Sequence, residues 1–296
     1  MIRPRVFLQL LELAAVENSV AFPNLESLSV LLDAIGPEDA YIPIASKQVR
    51  YNFPKLRSLS LRSDKDSSPD MYWIFKDAPL ERLHLATNTS FLEQLDLSHF
   101  PKLAHVRLTS RPQFRRVSFF DIQNRLTGPA SNIRTLDIDV TLQVMVTSWV
   151  FGCAKLRSLK IAHDVSPPVL RSVLKQLPEL VTLDIQHYLT HREGNVDLPD
   201  MRKAVLESDL SIINNSLQSL FVTDKYIFQL NDPYTANAVK LVELVAHLPS
   251  LLKLTIVGSR PRIRGQLIED TFADSAIQEC AHHFANVSVH LHDLLE

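Results

Sequence analysis

The residues whose types and spacing could do chemistry in this chain are few: His187 and His191, four apart; Asp137 and Asp139, two apart; and a late group, His282, His283, His290 and His292. Residues four apart share one face of a helix, so His187-x-x-x-His191 could ligate zinc there. The pair follows Leu183-x-Ile185, a strand-like segment, and a plain turn at a strand exit is the simpler reading. Asp137 and Asp139 would share one face of a strand, where they could hold a hard cation or act as acid and base. Alternate acids on a solvated strand explain them as well. His282 and His283 suit the negative end of a helix dipole, and His290 and His292 would share one face of a last strand. Only six glycines occur, none in a Gly-x-Gly-x-x-Gly or Gly-x-x-x-x-Gly-Lys loop, so no phosphate cradle is expected. No Gly-x-Ser-x-Gly elbow occurs, and Cys153 and Cys280 lie in apolar stretches where a thiol behaves as a small hydrophobe. No catalytic residue, metal site or cofactor is expected, and no enzyme.

The elements that would position any functional residue are far more legible. Phe53-Pro-Lys-Leu-Arg-Ser-Leu-Ser-Leu61 returns in variants built on a Leu-x-x-Leu-x-Leu core. The cores begin at Leu25, Leu56, Leu80, Leu103, Ile133, Leu156, Leu180, Leu217, Leu251 and, one residue shortened, Val287. Successive starts lie 31, 24, 23, 30, 23, 24, 37, 34 and 36 residues apart, a spacing centred on leucine-rich repeats with several longer units. The expected fold is therefore α/β: a horseshoe-like leucine-rich-repeat solenoid over 1–296, of about ten irregular repeats. Parallel strands would line its concave face, with helices and irregular segments on the convex face, and residues 1–20 forming an N-terminal covering helix.

The inserts between cores read as helices. Ser166-Pro167-Pro168 supplies a cap and a proline first turn ahead of Leu170, Val173, Leu174 and Leu177 at helical intervals. Ala236, Val239, Val242, Val245 and Leu248 suggest a second helix; Phe272, Ala276, Ile277, Cys280 and Phe284 suggest a third. Ser68-Pro69 opens a short one carrying Tyr72, Ile74 and Phe75, and Trp73 and Trp149 read as packing residues. Segment 86–130 is less regular; Leu92-x-x-Leu95-x-Leu97 and Phe114-x-x-Val117-x-Phe119 are too closely spaced for full coils and read as convex-side strands or turns. Pro54, Pro79, Pro101, Pro178 and Pro249 precede cores, where a missing N–H suits the approach to a strand. The asparagine ladder of many leucine-rich repeats would place Asn three residues after each core; only Asn88 fits, with Asp64 and Asp164 as substitutes.

Because strand side chains alternate, the residues between the repeated leucines face solvent on the concave side. Those expected to meet a partner are Arg62, Arg82, His84, His105 and Arg107, then Asp137 and Asp139, then Lys160, Asp184, Gln186 and Phe221. The first five make a basic-to-imidazole stretch suited to an acidic partner segment, and Phe221, an aromatic among polar neighbours, suits an anchoring contact.

Composition narrows the function classes. Apolar residues at 46% and charged residues at 22% are ordinary for a folded chain, and a net charge of −2 supplies no broad positive field for nucleic acid or an anionic membrane. Two cysteines exclude a disulfide framework. The start Met1-Ile-Arg-Pro-Arg has basic residues before an apolar run, but Gln9 and Glu12 interrupt that run at helical spacing, against a signal peptide. No stretch approaches the ~18 apolar residues a membrane span needs. The triplets at Asn88, Asn214 and Asn286 fit glycosylation only in a secreted protein. A cytoplasmic or nuclear protein is expected, with a protein partner on the concave face, no nucleic acid and no membrane.

Phe22-Pro-Asn-Leu-Glu-Ser-Leu-Ser-Val30, Ala78-Pro-Leu-Glu-Arg-Leu-His-Leu85 and Leu177-Pro-Glu-Leu-Val-Thr-Leu-Asp-Ile185 resemble the repeats of fungal F-box/leucine-rich-repeat proteins, over nearly the whole chain. The resemblance implies the substrate-recognition part of an SCF-type ubiquitin ligase, a non-enzymatic protein-interaction scaffold. Only 24 residues precede the first core, too few for an F-box, so a ligase-adaptor contact would require an F-box outside this chain. The alternative is a structural or inhibitory leucine-rich-repeat binding protein with no link to ubiquitination.

Overall fold

The computed structural model describes residues 22–31, 53–62, 75, 78–86, 97, 100–109, 132–139, 152–165, 167–188, 214–223, 230–232, 235–236, 241, 248–258, 262–263, 266–267 and 288–293. The chain divides into two compact units, Met1–Leu156 and Arg157–Glu296.

In the first unit, β1 (Ser27–Leu31), β2 (Ser58–Arg62), β3 (Arg82–Ala86), β4 (His105–Thr109) and β5 (Thr135–Asp139) pair in sequence order, all parallel. The register follows from the repeat. Leu28, Leu59, Leu83, Val106 and Leu136 fall in one row across the strands, and Val30, Leu61, Leu85, Leu108 and Ile138 in the next. All but Leu28 of these are buried. Each fully buried leucine contributes about 1.5–3 kcal/mol, so a one-residue slip that turned a row to solvent would be strongly opposed.

The first leucine of each core closes a turn. The Leu56 N–H donates to the Phe53 carbonyl at 3.2 Å, and Leu25, Leu103 and Leu156 do the same to Phe22, Phe100 and Cys153. Pro54 and Pro101 thus occupy the second residue of a four-residue turn, where a fixed φ is already correct. At Ala78-Pro79-Leu80 the loop is one residue tighter, and the Leu80 N–H reaches the Ala78 carbonyl at 2.8 Å. The residue after that leucine then ties one strand to the next: the Glu26 carbonyl accepts from the N–H groups of Arg57 and Ser58, and those of Arg57, Glu81 and Ala104 repeat the pattern one strand further on. This satisfies the backbone where each parallel ladder begins. Phe22 stacks on Phe53 with centroids 6.4 Å apart, and Phe53 meets Phe75 at 5.3 Å, so aromatic rings fill the space ahead of the first cores.

The second unit repeats the scheme with β6 (Ser158–Val165), β7 (Thr182–Tyr188), β8 (Ser219–Thr223), β11 (Lys253–Gly258) and β14 (Ser288–Asp293), parallel and in that order. Between β6 and β7 lies α1 (Pro167–Gln176). Its Leu170, Val173 and Leu174 are buried while Lys175 and Gln176 are exposed, as the helical spacing predicts. Two short antiparallel pairs, β9 (Leu230–Asp232) with β10 (Thr235–Ala236) and β12 (Arg262–Ile263) with β13 (Gln266–Leu267), occupy parts of the long inserts. Each unit is an open parallel sheet of successive strands with few helices among the described residues, a solenoid-like α/β arrangement.

Several expectations change in detail. Ala236 belongs to β10, not to a helix, and Leu248 lies in the turn before Leu251, whose N–H it accepts at 3.2 Å; of the expected 236–248 helix, Leu241 is helical and buried. The 1–20 helix, the 272–284 helix and most of 86–130 lie outside the described residues, as do Asp64 and Asn88. Asp164 is a strand residue of β6 instead of a ladder turn.

The asparagine that is buried among the described residues stands before a core, not after one. Asn214 is 1% exposed. Its Nδ2 donates to the carbonyls of Leu174 and Leu177 at 3.0 and 2.9 Å, and its Oδ1 accepts from the N–H groups of Ser216 and Leu217 at 3.0 and 2.9 Å. It takes over the turn-closing role of a backbone carbonyl and binds the end of α1 to the next strand. With all four hydrogen-bonding positions used and the side chain buried, it is no glycan acceptor in this fold.

Candidate functional site

The sheet of the first unit turns a second set of rows toward solvent, set by the same register as the leucines. One row is Ser27, Ser58, Arg82, His105 and Thr135; the next is Ser29, Ser60, His84, Arg107 and Asp137; the third is Leu31, Arg62, Ala86, Thr109 and Asp139. Parallel strands lie about 4.8 Å apart, so residues of one row are immediate lateral neighbours. Arg62, Arg82, His105, Arg107 and Asp139 are exposed, while His84 and Asp137 are half-buried. The expected basic-to-imidazole stretch is therefore brought together on one face, over β2, β3 and β4.

Its electrostatics are less simply divided than the linear order suggests. Asp137 is not a separate acidic block: its Oδ2 takes the Nε–H of Arg107 at 3.2 Å, with the arginine side chain 56% exposed. Such a pair contributes roughly 0–1 kcal/mol and leaves much of the guanidinium accessible. Among the described residues, neither Arg62 nor Arg82 has an ion-pair partner. Asp137 and Asp139 occupy adjacent rows on the same face, and no group of three or more metal-ligating side chains occurs among the described residues.

His84 sits at the centre of this face in a specific bonding pattern. Ser60 Oγ lies 3.3 Å from its Nδ1, and Thr109 Oγ1 lies 3.5 Å from its Nε2. The Thr109 hydroxyl also donates to the Leu85 carbonyl at 3.3 Å. A hydroxyl has one proton, so toward Nε2 the threonine can only accept. The network therefore assigns the proton of the neutral ring to Nε2, and leaves Nδ1 to accept from Ser60. Burial pushes the imidazole pKa below its ordinary 6.5, and the charges of Arg107 and then Arg62 push it the same way, against a smaller opposing pull from Asp137. Compared with protein-family models and with curated proteins, the chain matches none.

The second unit presents its own polar row: Lys160, Asp184, Phe221, Thr255 and His290. Lys160 Nζ lies 3.7 Å from Asp184 Oδ2. Phe221 is half-buried, flanked in register by Asp184 and by the nearly buried Thr255, and Gln186 is half-buried two positions further along β7. His290 is exposed and bonded to Ser288 at 2.8 Å, and His292 is a residue of β14. His187 is a residue of β7, one before its end, while His191, His282 and His283 lie outside the described residues. Cys153 is fully buried, and that burial pushes its thiol up to about 12, the opposite of what a nucleophile needs. No helix among the described residues is long and apolar enough to cross a membrane.

Sequence reasoning missed two roles. Ser60 and Thr109 are the hydroxyls that define the state of His84, and their only signal was register: each lies on a strand adjacent to β3. Asn214 was noticed as a glycosylation triplet, although its place three residues before Leu217, where Phe22, Phe53 and Phe100 stand before their cores, pointed to the turn.

Proposed function

We propose that this protein is a non-enzymatic leucine-rich-repeat scaffold whose first unit captures an acidic segment of a protein partner on the polar face of β2–β4. The observation that supports the reading most is the gathering of Arg62, Arg82 and Arg107 around a half-buried neutral imidazole, with two of the three guanidiniums lacking an ion-pair partner among the described residues. Cations carried side by side on a β-sheet, two of them without an ion-pair partner among the described residues, give orientation and on-rate to a complementary anion. The Ser58 hydroxyl, beside Arg82 in register, adds a hydrogen-bond donor for a carboxylate.

The test is the binding of a fluorescein-labelled octa-aspartate peptide, read by anisotropy. The wild type should bind it, and R62E combined with R82E should weaken binding about tenfold or more while leaving the melting temperature within a degree or two, since surface substitutions of this kind change stability by about 0.5 kcal/mol or less. Equal binding by both proteins would remove the basis of the reading. Arg107 is a poorer choice for reversal because a glutamate there would face Asp137. The resemblance to fungal F-box/leucine-rich-repeat proteins supports a narrower form of the same proposal, in which the captured partner is a ubiquitination substrate. Co-purification of a cullin and its adaptor with the natural full-length product tests that form, and their absence with retained acidic-peptide binding would favour a binding protein unconnected to ubiquitination.

A further inference from the structure

The hydrogen-bond chain through His84 has a direction. Ser60 Oγ–H points into Nδ1, Nε2–H points to Thr109 Oγ1, and Thr109 Oγ1–H points to the Leu85 carbonyl. The far end is anchored on backbone, and only the near end can reverse. If the ring takes a proton at Nδ1, that nitrogen becomes a donor, the Ser60 oxygen must accept, and the serine proton turns away from the ring toward whatever lies on the face. Thr109 need not change, because it already accepts from Nε2.

The charged and titratable groups around the ring decide when this happens. Among the described residues, β2 supplies Arg62, β4 supplies His105 and Arg107, β3 itself supplies Arg82, and β5 supplies Asp137 and Asp139. In the free protein burial, joined by the charges of Arg107 and Arg62, favours the neutral ring, and Asp137, which opposes them, is itself engaged by Arg107. Carboxylates laid over Arg62 and Arg107 would offset those cations and favour the imidazolium.

We propose that His84 makes this face a proton-linked capture surface: binding of an acidic segment across β2–β4 is coupled to proton uptake at the imidazole and to reversal of the Ser60 hydroxyl, which then donates to the segment. The inference rests on the reading of this face as an acidic-segment site. Because linkage is reciprocal, whatever raises proton affinity on binding makes binding tighter as protons are added.

The experiment titrates labelled octa-aspartate against the intact chain at pH 7.5 and pH 5.5, at constant ionic strength. Wild type is expected to bind about tenfold tighter at the lower pH. H84Q should lose more of that dependence than H105Q, which removes the exposed imidazole of the same face. Nuclear magnetic resonance of the His84 ring in wild type, free and saturated with peptide, supplies a readout that needs no variant: the midpoint of its titration should move up on saturation. Binding that is equal at the two pH values, a pH dependence lost in H105Q but kept in H84Q, or a His84 midpoint unmoved by peptide would each overturn the coupling while leaving acidic-segment capture standing. No binding at either pH would overturn both.

Discussion

Asn214 shows how much one side chain can hold. Its amide bridges two carbonyls at the end of α1 and two N–H groups in the turn ahead of β8. Alanine at this position would leave buried donors and acceptors unpaired, so N214A is expected to lose roughly 2–4 kcal/mol of stability in a denaturant titration. N214D should lose more, since a carboxylate cannot donate to the Leu174 and Leu177 carbonyls and would bury a charge. Asparagine-to-serine near-equivalence in that assay would mean the bridge is not formed. Cys153 gives a pH-dependent counterpart. A thiol whose pKa is raised in the fold adds stability that is full below the unfolded value near 9.0 and is lost as pH climbs toward about 12. Stability of a C280S protein should accordingly fall across that alkaline window, and Cys153 should resist a thiol reagent near pH 8 until the chain is unfolded; rapid labelling of the native protein would contradict its burial. His84 runs the other way: with its pKa lowered in the fold, it costs stability only as pH falls below the ordinary 6.5, where the unfolded chain takes up the proton more readily.

At the scale of elements, the strands were legible because the same leucines that set the repeat also set the register. Leu59, Leu83, Val106 and Leu136 align across four strands because each lies three residues after the first residue of its core. L83A, in the middle of that stack, is expected to cost about 2–5 kcal/mol, whereas S58A on the other side of the sheet should stay within about 0.5 kcal/mol. Comparable losses from both would place the faces the wrong way round. The face positions of Arg62, Arg82, His84, His105 and Arg107 were legible for the same reason, since alternation fixes them once the leucines are fixed. What the sequence did not disclose depends on lateral neighbours 24–30 residues away. The Ser60–His84–Thr109 chain and the Arg107–Asp137 pair both join strands, and no local pattern encodes them. The inserts were harder still: α1 had a proline start and a clear apolar stripe, while Ala236 sat in a plausible helical spacing yet pairs as a strand beside Leu230.

For the molecule as a whole, a chain built from successive parallel strands concentrates each strand's packing on its neighbours, so damage should stay local. Hydrogen exchange of N214A is expected to show faster opening around α1, β7 and β8 with β1–β4 little changed; uniform acceleration throughout would mean that the chain unfolds as one block. The same fold presents a cluster of cations on one face of β2–β4 without any large net charge, which is −2 for the full sequence. Capture by such a local patch should weaken as salt is raised, because exposed charges are screened over about 8–10 Å near physiological ionic strength. The most direct measurement is paramagnetic relaxation from a spin label at one end of a bound octa-aspartate peptide. The account predicts selective broadening of the amides of Ser58–Arg62, Arg82–Ala86 and His105–Thr109. Broadening confined to the second unit, or none at saturating peptide, would contradict it.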